Sequence, residues 1–107
     1  MNIEDFPRAH ISVWTTLELL DDGQRIIGAD LLNRSPIKDR RSLYHVIKEL
    51  RQNGFLVGSS KHAQNRGYYE IRDEQDLYQT VYDLRKSANS LLETAKQIEL
   101  SFYEKER

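Results

Sequence analysis

From Leu77 to Phe102 the apolar side chains follow one another at alternating intervals of four and three: Leu77, Val81, Leu84, Ala88, Leu91, Ala95, Ile98 and Phe102. A heptad repeat this long specifies one continuous helix with a narrow apolar seam along one side. Asp73 suits the N-cap, so the helix is expected from about Glu74 to Tyr103. About 30 residues at 1.5 Å rise span roughly 45 Å. The body that precedes it is too small to cover the whole stripe, and a bare seam in water invites association. The expectation is self-association through these eight residues, most simply as a two-fold homodimer. Leu or Ile fills every d position, and the g positions Thr80, Ser87, Thr94 and Ser101 are small hydroxyl residues. Small a and g residues let two backbones approach. Uncharged g positions also lack the charges that steer parallel zippers, which favours an antiparallel pair without fixing it. Tyr78 and Tyr82 flank the seam and widen its apolar face.

The remaining chain reads as helix, short helix, helix and hairpin. Ile11, Trp14, Leu17 and Leu20 give one apolar stripe, so a first helix is expected from around Pro7–His10 to Leu20, with Trp14 in the core. Asp21-Asp22-Gly23 ends it as a turn. Ile26-Ile27 is long enough only for a stub of strand. Ala29 to Asn33 is a short second helix with Leu31 and Leu32 facing inward, closed by Ser35-Pro36. The third helix is bracketed by Asp39 as N-cap and Gly54 just past its end, with Leu43, Val46, Ile47 and Leu50 on its inner face. Phe55–Ser59 and Gly67–Ile71 are strands joined by the polar loop Ser60–Arg66, which makes a hairpin. Tyr68 and Tyr69 point to opposite faces of their strand, one of them inward. The fold expected is a mostly helical winged helix-turn-helix over residues 1–72, with residues 73–107 as a dimerisation helix.

Charge is segregated. The chain has a formal net charge of −1, yet residues 34–66 carry eight Lys/Arg against Asp39 and Glu49, and acidic segments flank them. Such a distribution suits a surface facing an anion. At 100° per residue the outer face of the third helix collects Arg41, His45, Lys48 and Gln52; Lys38 lies close to it, and Arg40 and Tyr44 flank it. Lys61, His62 and Arg66 lie on the loop. A helix with one face in the core and the other rich in donors is what major-groove reading requires. These ten residues are the expected contacts to double-stranded DNA.

Specific stretches carry a resemblance. Ile37-Lys38-Asp39-Arg40-Arg41, then Val46 to Gly54, then Gly58-Ser59-Ser60 and Gly67-Tyr68-Tyr69 together resemble the winged helix of small phage-encoded proteins of bacteria. More remotely they are similar to the N-terminal domain of biotin repressors. The resemblance covers roughly residues 10–72. It implies DNA binding for transcriptional control, or for replication or excision, in a phage or related mobile element. The competing expectation is a winged-helix protein–protein module, or an accessory factor that docks a partner through the long helix.

Other chemistries find little footing. There is no cysteine, so disulfides and thiolate metal sites are excluded. His10, His45 and His62 share no ligand spacing, and no metal or cofactor is expected. Asp21-Asp22-Gly23 lacks the alternating oxygen ligands of a calcium loop. No nucleophile elbow or glycine-rich phosphate loop is present, and the expectation is a non-enzyme. The N-terminal MNIEDFPRAH is acidic and has no apolar run. Neither a signal peptide nor a membrane span is therefore expected, and the location expected is cytoplasmic.

Overall fold

The computed structural model describes residues 2–62 and 64–105. After a 3₁₀ turn at Ile3–Asp5, the elements are α1 (Arg8–Glu18), α2 (Gly28–Asn33), α3 (Arg40–Gln52), β1 (Val57–Ser60), β2 (Gly67–Glu70) and α4 (Glu74–Lys105). The chain is thus mostly helical, with one antiparallel hairpin and a long C-terminal helix. Among the described residues no helix is long and apolar enough to cross a membrane.

α3 is set by its own sequence. Asp39 Oδ1 accepts from the Ser42 backbone N–H at 2.8 Å and starts the helix. At the other end Gly54 adopts φ 89°, its N–H reaches the Arg51 carbonyl, and the Phe55 N–H reaches the Leu50 carbonyl. That is the paired closure of a helix through a left-handed glycine. It also explains why β1 begins at Val57 and not at Phe55: the Phe55 backbone belongs to the helix stop. Its ring packs edge-on against Trp14 and Phe6, with centroids 5.2 and 5.4 Å away.

One core gathers Val13, Trp14 and Leu17 of α1, Ile26, Leu31 of α2, Val57 of β1, and Leu43, Val46, Ile47 and Leu50 of α3. The inner face of α1 therefore differs from the expected stripe. His10 and Val13 are buried, whereas Ile11 and Leu20 are half-buried. A spacing of threes drifts around a helix of 3.6 residues per turn, which carries Ile11 off the core face, while Leu20, expected on this helix, lies beyond its last residue Glu18. Leu32, expected to face inward, is half-buried and packs against this core.

In the hairpin Gly58 pairs with Tyr69 and Ser59 with Tyr68. Ile26 bridges the free edge of β2 through two backbone hydrogen bonds with Tyr68, at 3.0 and 2.8 Å. Gly67 makes this approach possible: at φ 136° a Cβ there would sit 2.6 Å from the Ile26 carbonyl oxygen. Tyr69 turns inward, as one of the tyrosine pair was expected to, and Tyr68 packs against the core from the other face.

Arg72 ties the start of α4 to the end of α1. Its guanidinium donates to Asp22 at 2.7 Å, to Glu70 at 2.9 Å, and to the carbonyls of Glu18 and Leu20 at 3.1 and 2.8 Å. The hydrogen bond that Arg72 donates to Asp22 is the main reason its pKa is raised. α4 is capped by Asp73, whose Oδ1 accepts from the Asp76 N–H at 2.8 Å. Its first turns pack on the hairpin, through the edge that carries Thr80. Thr80, at 3% exposed, accepts from the Ser59 N–H at 3.1 Å. The g edge expected to lie against a second helix thus serves an intrachain junction at Thr80. Beyond Ser87 every described residue of α4 is exposed, and the molecule measures 58 × 29 × 26 Å.

Candidate nucleic-acid interface

A cleft of about 730 Å³ opens between α3 and the hairpin. Leu43 and Ile47 form part of its floor, with Ile27, Tyr68 and, from α4, Leu84. Its walls carry Arg40, Tyr44, Lys48 and Gln52 from α3, and Lys61 and Arg66 from the loop. Its described lining residues include Arg51 as a fifth cation and no Asp or Glu. The second cleft, on the far side of the hairpin, is the electrostatic opposite. Asp21, Asp22, Glu70, Asp73 and Asp76 line it, with Arg25 and Arg72. The charge segregation read along the chain is therefore also segregation in space.

Six of the ten expected contact residues meet in the first cleft: Arg40, Tyr44, Lys48, Gln52, Lys61 and Arg66. Four do not line it. Lys38 precedes the N-cap, Arg41 and His45 sit further round α3, and all three are exposed. His62 is exposed on the loop, where its backbone N–H donates to Ser60 Oγ at 3.3 Å. Ala63, inside the expected loop, lies outside the described residues. Lys61 is not wholly free, since its Nζ donates to Ser87 Oγ of α4 at 3.1 Å.

Arg51 was counted only as a charge in the sequence and has a definite structural role. Its Nε donates to the Val57 carbonyl at 2.9 Å and its Nη2 to Ser59 Oγ at 3.2 Å. Burial pushes its pKa down. The signal was its position four residues after the buried Ile47, which places its stem beside the core while the head reaches outward. Tyr68 lies on the cleft floor, and burial pushes its phenol up, so the hydroxyl stays protonated as a donor at neutral pH.

The outer edge of α3 towards α1 behaves differently. Glu49 Oε1 lies 3.4 Å from His10 Nε2 and 3.2 Å from His45 Nε2, so two histidines far apart in the chain meet on one carboxylate. The described residues hold no group of three or more His, Asp or Glu side chains placed to bind a metal. What the cleft can do chemically is hold a polyanion, with cations on two facing walls, neutral donors between them, and an apolar floor. No protein-family model, curated protein or solved structure matches the chain.

Proposed function

We propose that the chain is a winged helix-turn-helix protein that binds double-stranded DNA. In this reading α3 enters the major groove, and the 60–66 loop, with Lys61 and Arg66, serves as the wing beside it. The observation that carries the reading is the cleft between them, whose described lining has five cations and no carboxylate. Duplex DNA presents one phosphate charge per roughly 1.7 Å of axis, and cations on two walls meet phosphates from both sides of a groove. Arg40, Lys48 and Arg66 supply phosphate contacts. Gln52 and Tyr44 are the neutral groups placed to reach base edges or sugars. The output proposed is transcriptional control of a phage or related element, by a protein that self-associates through α4.

The test is fluorescence anisotropy of a labelled random duplex at two salt concentrations, with Lys48→Ala/Arg66→Ala as control. Binding that falls steeply with salt and is weakened by the double substitution supports the reading. No binding at low salt would replace it with a protein-partner module, for which the long helix is the natural bait.

A further inference from the structure

The seam of α4 is covered unevenly. Val81 is half-buried beside the hairpin, whereas Leu84 is 47% exposed, Leu91 72%, Ile98 66% and Phe102 57%. The bare stretch thus runs from Leu84 to Phe102, and its midpoint falls at residue 93.

We infer that this stretch pairs antiparallel with the same stretch of a second copy, about a two-fold axis at residue 93. The inference rests on the self-association within the reading above and is independent of DNA. Side-chain size supports the register. In an antiparallel pair the core layers set a positions against d positions, so rotation about residue 93 places Ala88 against Ile98 of the partner subunit. It places Ala95 against Leu91 of the partner subunit and Leu84 against Phe102 of the partner subunit. Each alanine meets a large side chain, the alternation that close packing of two facing surfaces needs.

Charge selects the same register. The e positions of the bare stretch are Arg85, Leu92 and Glu99. The same rotation brings Arg85 beside Glu99 of the partner subunit, twice by symmetry, and sets Leu92 beside its own copy on the axis. Leu92 is 69% exposed in the single chain, and here it gains an apolar neighbour.

Alternative pairings lose these matches. Sliding the pair one heptad towards the hairpins sets Arg85 against Leu92, and it drives the second helix onto the edge where Thr80 is already covered by its own hairpin. A parallel in-register pair stacks Ala88 on Ala88 and Ala95 on Ala95 and offers Arg85 and Glu99 only uncharged g partners. It also crowds both hairpins at one end. In the antiparallel pair the two globular bodies stand at opposite ends. Because Leu84 also lines the cationic cleft, Phe102 of the partner subunit borders each cleft.

The chain has no cysteine, so a single introduced thiol reports the register. Leu92→Cys and Leu91→Cys are oxidised mildly without DNA and resolved on non-reducing gels. Leu92→Cys is expected to form a covalent dimer and Leu91→Cys to remain uncrosslinked; the reverse pattern means a parallel pair and overturns the inference. Arg85→Glu is expected to raise the dimer dissociation constant by roughly 2- to 30-fold through its two lost pairs, with recovery in Arg85→Glu/Glu99→Arg. No recovery in the double variant would also overturn the register. A monomeric mass for the unaltered chain by light scattering would remove the pairing altogether while leaving the anisotropy test of DNA binding intact.

Discussion

Tyr69 Oη and Thr80 Oγ1 lie 2.7 Å apart, and this buried contact fastens the hairpin to α4. Further hydrogen bonds surround it. The Ser59 N–H donates to Thr80 Oγ1 at 3.1 Å, Thr80 Oγ1 also reaches the Ser59 carbonyl at 3.4 Å, and the Tyr69 hydroxyl reaches the Asp76 carbonyl at 3.2 Å; between Tyr69 and Thr80 either hydroxyl can donate. The guanidinium of Arg25 lies 3.7 Å over the Tyr69 ring and holds it from the other side.

Thr80→Val keeps the shape of the side chain but leaves the Ser59 N–H and the Tyr69 hydroxyl short of partners. It is expected to cost about 1–3 kcal/mol, whereas Tyr69→Phe costs about 1 kcal/mol. Urea unfolding of both variants measures the difference. A Thr80→Val chain as stable as the parent would show that the junction is held by packing alone.

Arg72→Met is expected to lower the melting temperature, because the carbonyls at the end of α1 and of Leu20 just beyond it lose their donor while Asp22 and Glu70 lose their cation. Arg72→Lys recovers only part of the loss, since one ammonium cannot reproduce a planar fork shared among two carboxylates and three carbonyls. Thermal melts followed by circular dichroism separate the three chains. Equal melting of the Arg72→Lys chain and the unaltered chain would reduce the role of Arg72 to its charge.

Asp39 gives a pH dependence with a definite sign. The Ser42 backbone N–H, followed by the Ser42 side chain, holds its carboxyl below the ordinary value of 3.8. A lowered folded pKa means that the cap stabilises the protein above the ordinary aspartate range and that this contribution is lost as pH falls through the lowered value. Asp39→Asn keeps a capping oxygen that does not titrate. The stability gap between parent and Asp39→Asn is therefore expected to narrow between pH 5 and pH 2, as melts across that range would show.

The cleft cations and the outer cations should separate in a salt titration of DNA binding. Lys48→Ala and Arg66→Ala are each expected to reduce the slope of log K against log salt by about 0.9, one phosphate contact apiece. Lys38→Ala, outside the cleft, leaves the slope nearly unchanged. Equal losses from all three would replace the cleft by a diffuse basic face.

The parts legible in the sequence are those whose determinants are local. Asp39, Gly54 and the stripe Leu43, Val46, Ile47 and Leu50 define α3 within sixteen residues, and the structure follows them closely. The heptad from Leu77 to Phe102 likewise lies on one unbroken helix. Non-local effects were hidden. Nothing near Thr80 announces that its hydroxyl will meet Tyr69, and nothing near Arg72 announces the carbonyls of α1. The candidate cleft was half legible for the same reason. Helical periodicity groups residues on α3 by angle, but which side faces the hairpin is decided by how β1 and β2 dock, and that choice favoured Arg40 and Tyr44 over Arg41 and His45.

The unbroken run of α4 from the buried Thr80 to Lys105 makes the helix a protractor as well as a spacer. One residue added or removed after Ser87 would turn the seam by about 100° relative to the cationic cleft, while seven residues would move it outward by about 10.5 Å and turn it by only ~20°. Length changes in this tail are therefore quantised: whole heptads preserve its aim, and any other change trades reach for misdirection.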